Sequence, residues 1–445
     1  MAFLTRDETQ TLLKKILSYS KADECEVQIG GGDSGNIRYA RNSVSTSGSL
    51  SQISVAVFSV FGRKQGIATI NELDDASLQK VVRRSEDLAR LAPENPEFVS
   101  FLGPQQYGPE TKTFVPATAA ITAAQRTDMV QQSLNIAKNS QLTAAGYFEH
   151  STGFSATMNS HGLFAYHTET SLDFSVTFRT ADATGSGYAA RGYNDISKLD
   201  VAAASKIAAW KASNSTAARA IEPGKYTVIL EPAAAIVLVE NLYGNLDARS
   251  ADEGRSFLSL PNGKTRLGEK LVDEQVNIYS DPWNAELPTP NYSDNGLPQE
   301  KISWIEKGVI KNLFYSRYWA QKKGVKPIPT PTGIIMDGGN TSLEDMIKST
   351  EKGILVTRFW YIRSLDPQTL LYTGLTRDGT FYIENGQIKF PIKNFRFNES
   401  PVIMLNNLEA LGKPERTISG EGGGTALIPP MKIRDFTFSS LSDAI

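Results

Sequence analysis

Few side chains in this sequence combine a reactive type with a useful spacing. Glu240 follows an apolar run that opens at Pro232. A carboxylate on a helix activates a metal-bound water only when ligands share its face, so alone it reads as a helix-face or interface glutamate. The three histidines, His150, His161 and His167, cluster with Glu149 and Glu169. On one uninterrupted strand His161 and His167 share a face, yet they stand about 20 Å apart at roughly 3.3 Å per residue, too far to share an ion unless the strand bends. His150 lies across the turn Asn159-Ser160-His161-Gly162 and could approach one of them. A metal site at these histidines is one reading; ordinary turn and sheet-surface histidines are the commoner one.

Two glycine runs could cradle phosphate. Gly30 to Gly35 satisfies G-x-G-x-x-G, but a dinucleotide site needs a helix to start there, and Ile37-Arg38-Tyr39-Ala40-Arg41 alternates like a strand. The stretch predicts a hairpin, with strands over Glu24–Ile29 and Asn36–Val44 and a turn at 30–35. Gly420 to Thr425 could form an anion nest, yet Ala426-Leu427-Ile428-Pro429-Pro430 excludes a following helix, which leaves a flexible loop. Asp247, Arg249, Asp252, Glu253 and Arg255 form a mixed charge cluster that reads as a solvated face. Cys25, with no histidine close in sequence, reads as a structural thiol. No Ser-His-Asp order, Cys-His pairing or P-loop is present.

The elements that must position these residues follow from periodicity. Thr5-x-x-Glu8 is a capping box that opens a helix with Leu12, Leu13, Ile16 and Leu17 on its apolar stripe. Ile53, Val55 and Val57 extend a sheet, and Leu78, Val81, Val82, Leu88 and Leu91 place a second helix behind it. Prolines at 93, 96, 104, 109 and 116 mark a linker. A long helix is predicted over 117–140, strands over 144–158, 163–170 and 172–178, and a helix over 200–212. Tyr226, Val228 and Leu230 alternate as a half-buried strand leading into the helix at Pro232. Beyond it, hairpin signals at Glu306-Lys307-Gly308, Asp378-Gly379 and Asn385-Gly386 predict a mainly antiparallel sandwich or barrel, interrupted by a capped helix at Thr341-Ser342. The fold class is therefore α+β: an N-terminal α+β domain (1–92), a linker (93–116), a middle α+β domain (117–222) and a β-rich C-terminal domain (223–445). The middle unit echoes the first loosely, without a defensible sequence repeat.

Composition excludes several classes. With 445 residues, two or three domains are expected, and 40% hydrophobic with 21% charged residues describes an ordinary globular protein. Forty-six basic residues balance 48 acidic ones, which argues against a nucleic-acid partner. A single cysteine fits a reducing compartment, and the absence of a signal-like N-terminus or a spanning apolar run makes a cytoplasmic location, with no membrane association, the expectation.

Val228-Ile229-Leu230-Glu231-Pro232, the apolar helix after it and Asp247-Ala248-Arg249-Ser250 together resemble the TldD/PmbA family, as do Gly353–Trp360, Glu384–Lys393, Asn406–Gly412 and Gly423–Ile433. In the TldD type this helix carries His-Glu-x-x-x-His, and the resemblance implies that the two histidine positions fall here at Val239 and Gly244 and the glutamate at Glu240. The TldD type also adds a C-terminal cysteine ligand, whereas Cys25 is far away in sequence; the 423–433 run is similar to the metal-free TldE (PmbA) type. The resemblance thus implies a subunit that holds no cofactor of its own, with zinc in a TldD-type partner, and a cytosolic complex that cleaves small or unfolded peptides by attack of zinc-activated water. It also implies subunit assembly near Asp247–Arg255, and Glu240 then becomes a vestigial position beside a bulky Tyr243. The alternatives are a non-enzymatic, homo-oligomeric binding protein on the same fold, as suggested by family members described as modulators of DNA gyrase, and a peptidase with a metal site relocated to His150, His161 and His167.

Overall fold

The computed structural model describes residues 3–421 and 423–442. Thr5 caps α1 (Arg6–Ser18) as its spacing predicts: the Glu8 carboxylate accepts the Thr5 N–H at 2.8 Å while the Thr5 hydroxyl accepts the Glu8 N–H. Leu13 and Ile16 are buried beneath it. Next come β1 (Glu24–Ala40), β2 (Ser43–Phe61), β3 (Lys64–Ile70) and α2 (Asp75–Leu91). The predicted turn at 30–35 does not form, because β1 runs unbroken through these glycines. Their smallness serves a neighbouring strand: a Cβ on Gly32 would lie 2.1 Å from the Thr152 carbonyl oxygen. The hairpin instead turns at Arg41-Asn42, whose φ values of 51° and 61° suit a two-residue loop.

The second unit comprises α3 (Pro116–Ala119), α4 (Ala123–Asn139), β4 (Thr143–Asn159), β5 (Phe164–Arg179), β6 (Ser186–Tyr193) and α5 (Val201–Asn214). The single helix expected over 117–140 is broken, because Thr122 and Gln125 form a fresh capping box that starts α4. The two strands expected over 163–178 are one, β5. All six strands join one antiparallel sheet in the order β3-β2-β1-β4-β5-β6, so residues 1–92 and 117–222 each supply half of it. Both halves run helix, three strands, helix and meet at the β1/β4 pair. Val27 and Ile29 pack with α1 and α2, while Ile37 and Tyr39 of the same strand pack with α4 and α5. These β1 positions share one parity, so both helix pairs cover one face of the sheet.

The C-terminal half is organised by β7 (Gly224–Leu230), α6 (Pro232–Tyr243), α7 (Ala248–Asp252), β8 (Lys352–Asp366), β9 (Leu371–Glu384), β10 (Phe395–Glu399), β11 (Glu415–Ile418), β12 (Thr425–Ile428) and β13 (Met431–Leu441). Strands pair in the order β8-β7-β13-β10-β9, and β9 returns to β8, which closes a five-stranded barrel. Only the β7/β8 pair within it is parallel. Asp378-Gly379 is not a hairpin: both residues have positive φ inside β9, where the register to β8 slips, so the turn chemistry makes a bulge. The signals at 306–308 and 385–386 do turn hairpins, and Ser342 caps a helix over Leu343–Lys348. A second sheet contains Ile278–Ser280, Ile302–Glu306 and Ile334–Met336 and continues through β12 to β11. Helix α6 packs against β8 on one side and β11 and β12 on the other. Residues Ala234 to Val239 and Leu242 are all buried, as expected of a helix apolar nearly all round. No helix among the described residues is long and apolar enough to cross a membrane.

Candidate functional site

Helix α6 starts at Pro232, whose missing N–H costs nothing in the first turn, and carries one charged side chain, Glu240. Val239 points into the core, fully buried, and Gly244 is the C-cap. Glu240 instead faces the loop between β11 and β12. Ser419 hydrogen-bonds its carboxylate, and Gly424 comes so near that a Cβ there would sit 2.6 Å from Oε1. The loop closes on itself through Gly423 N–H to Ser419 O at 3.0 Å and Ser419 N–H to Gly424 O at 2.9 Å. Glu421 pins it to β8 by accepting the N–H groups of Tyr361 (2.7 Å) and Ile362 (3.3 Å). Those donors are free because Tyr361, at φ 57°, forms a second β8/β9 bulge. Gly422 of the glycine run lies outside the described residues.

Enclosure has an electrostatic consequence. Burial pushes the Glu240 carboxyl up to about 7, with the Ser419 hydrogen bond opposing it. Burial and the nearby Glu240 charge also keep the Tyr243 phenol protonated, with its pKa well above the ordinary value. The site is therefore a carboxyl that exchanges its proton near neutrality beside a phenol and a hydroxyl. That chemistry can hold or pass a proton, but one carboxylate does not make a zinc site, which needs three or four protein donors. Among the described residues no cluster of three or more His, Cys, Asp or Glu side chains is placed to hold a metal ion.

The histidines are not brought together. His150 is buried on the helix-covered face beside Gly35 and Arg126, and burial together with the Arg126 charge lowers its pKa. His167 pairs opposite Ser155 on the other face, 3.2 Å from the Thr113 hydroxyl; burial pulls it to about 4, so it stays neutral. His161 precedes β5 in the turn, where its Nδ1 donates to the Phe101 carbonyl at 3.1 Å. The turn expected at Asn159-Ser160-His161-Gly162 forms, so His161 and His167 do not lie on one uninterrupted strand.

The remaining candidates have structural partners. Gly30 to Gly35 lies mid-strand, and the 420–425 run is followed by a strand and carries the Glu421 carboxylate, both unsuited to phosphate. Cys25 is buried, and desolvation pushes its thiol up to about 11, which makes it unreactive. The 247–255 cluster is more tied down than a solvated face. Asp247 caps α7, Arg249 makes a bidentate pair with Glu97 of the 93–116 segment (2.7 and 2.8 Å), and Asp252 accepts the Trp319 indole N–H at 2.7 Å. Sequence reasoning missed Ser419, Glu421 and Gly424 as the cover of Glu240. The glycine run was the visible signal, but its partner across the fold was not.

Two parts of the chain match signatures of one family: residues 25–89 match "PmbA/TldA metallopeptidase domain 1" and residues 223–440 match "PmbA/TldA metallopeptidase C-terminal domain". The metalloprotease PmbA of Escherichia coli O157:H7 is 23% identical, an alignment covering 94% of this chain and 96% of that protein. The fold is shared with TldE from Thermococcus kodakarensis (TM-score 0.84, 18% identity, 97% of this chain and 99% of the other). It is also shared with a "modulator of DNA gyrase" from Bacteroides thetaiotaomicron (TM-score 0.85, 19% identity, 98% and 100%). On these grounds the chain belongs to the PmbA/TldD metallopeptidase family.

Proposed function

We propose that this chain is a TldE/PmbA-type subunit of a cytosolic metallopeptidase complex, itself without zinc, working beside a TldD-type subunit that supplies the metal and the catalytic base. The observation that carries this reading is the composition of the α6 site: Val239 turned into the core, Gly244 without a side chain, and Glu240 covered by the 419–424 loop. The donors present do not fit a zinc ion, so no chemical step is assigned to this chain. Its contribution is architecture, with small or unfolded peptides as substrates of the complex.

The edge of the large sheet supports assembly. Strand β3 pairs with β2 only from Val55 onward, and among the described residues no strand covers the outer edge of Ser43–Ser54. The whole of β2 lacks a charged residue, and Val44 and Leu50 are exposed on it. Natural edges usually carry lysine, proline or bulges against unwanted pairing; this one has neither lysine nor proline, and its bulge at Ser45 leaves 46–54 regular, so that stretch suits the addition of a partner or substrate strand. The same edge favours the second reading, a homo-oligomeric interaction protein. The placement of His150, His161 and His167 on different faces and a turn weighs against a relocated metal site.

Co-expression tests the reading. Peptide hydrolysis is expected when this chain is combined with a TldD-type chain and not from this chain alone. A chain that purifies as a monomer and never binds a TldD-type protein overturns it.

A further inference from the structure

A cavity of about 520 Å³ opens where the large sheet and α5 meet the barrel, at the far end of α6 from Glu240. Its size is typical of small-molecule sites, which run roughly 300–1,000 Å³. The walls are mostly apolar: Ile207 and Trp210 of α5 line it while remaining 40% and 48% exposed, opposite Leu343, Ile347 and Leu355. Side chains this large and apolar, left uncovered around a concavity, gain from an apolar occupant.

The polar lining is unbalanced. Arg191, Lys206, Lys211 and Arg416 bring four cations, against two carboxylates, Glu231 and Glu415. Lys211 and Glu231 neutralise each other at 2.5 Å, both largely buried. Arg191, Lys206 and Arg416 make no ion pair within 4 Å among the described residues, although Arg416 lies in the field of the Asp173 and Glu286 carboxylates, which do not line the cavity. Arg191 donates to the Ala190 carbonyl and Arg416 to the Glu286 carbonyl, at 2.8 and 3.0 Å. Among the described residues the buried Arg416 Nε has no hydrogen-bond partner, and neither has the hydroxyl of Thr357, a residue only 1% exposed on the same lining. Two buried polar atoms without partners on one cavity wall are uncommon, since such groups are nearly always satisfied.

We propose that this cavity binds a small apolar carboxylate, its hydrocarbon part against Ile207 and Trp210 and its carboxylate toward Arg416 and Lys206. A peptide ending in a large apolar residue and a free aliphatic or aromatic acid share this chemistry. A guanidinium fork and a carboxylate match in geometry, and the excess positive charge selects the acid over its neutral amide. The inference is independent of the subunit reading, because the cavity shares no residue with the Glu240 site.

Titration calorimetry on the full chain would use three probes: N-acetyl-leucyl-phenylalanine, its C-terminal amide and 4-phenylbutyrate. The dipeptide acid is expected to bind, with the amide weaker by about tenfold or more, as loss of a charge-assisted contact predicts. Binding of the dipeptide acid alone assigns the site to peptide C-termini, and binding of both acids assigns it to apolar acids in general. Arg416→Gln should weaken acid binding similarly and leave amide binding unchanged. If that variant does not fold, the exposed Lys206→Gln reads the same effect more weakly. Equal binding of acid and amide, or no binding of any probe up to about 1 mM, overturns the proposal.

Discussion

Replacing Glu240 by glutamine separates a structural role from a catalytic one. In the folded chain the carboxyl is pushed from 4.5 to about 7 by burial, while in the unfolded chain it ionises at its ordinary value. Between those pH values the native state holds a proton that the unfolded state has lost, so native stability falls as pH rises through the window and is flat on either side. At about 1.4 kcal/mol per pH unit the ceiling is about 3 kcal/mol, and the partly exposed edge of the side chain lowers the expectation to about 2. Glutamine does not titrate and can still accept from Ser419. The variant should therefore match the parent near pH 4.5 and exceed it by about 2 kcal/mol at pH 8. For a unit the size of residues 223–440, that is a rise of about 4–8 °C in thermal midpoint. Thermal scans at pH 5, 6, 7 and 8 read the divergence directly. A variant no more stable than the parent at pH 8 refutes the electrostatic argument. Loss of the complex's peptidase activity in a well-folded Glu240→Gln chain refutes the assignment of all catalysis to the partner.

Three further predictions follow from packing and charge. Gly32→Ala should destabilise the chain by about 1–3 kcal/mol because its Cβ meets the Thr152 carbonyl. Gly30→Ala, whose nearest contact is 3.7 Å, should be neutral or slightly stabilising, and denaturant unfolding of the pair checks both. Lys211→Met strands the largely buried Glu231 and should cost about 3–5 kcal/mol, whereas the double change Lys211→Met with Glu231→Leu should recover most of it in a double-mutant cycle. Arg249→Ala releases Glu97 and should speed proteolytic cleavage within residues 93–116, followed by mass spectrometry; an unchanged cleavage pattern would show that the tie is idle.

Local signals were legible wherever they act through nearest neighbours. The Thr5/Glu8 box, the strand into Pro232 and the Asn385-Gly386 hairpin depend on a few consecutive residues, and each forms as predicted. The misreadings share a different cause. Gly30 to Gly35 is turn chemistry by type, but Gly32 answers the approach of the β4 backbone and Gly35 that of the Arg126 side chain, each about a hundred residues away. Asp378-Gly379 supplies positive φ as a turn would, yet Arg358 and Ser186 hold Asp378 inside a barrel strand. Thr122-x-x-Gln125 is a capping box that the continuous helical run over 117–140 masks, and in the fold it starts a new helix and breaks that run. At the site, Glu240 stood out in the sequence, while its cover at Ser419 and Gly424 is set by how β11 and β12 pack on α6.

The central claim is that the α6 site of this chain holds no zinc, and elemental mass spectrometry of protein purified without a metal-affinity column measures it directly. The account predicts zinc far below one equivalent in the chain alone, and metal that appears only with a TldD-type partner. Stoichiometric zinc in the isolated chain would contradict it and would make Glu240 and the histidines at 150, 161 and 167 the first residues to replace.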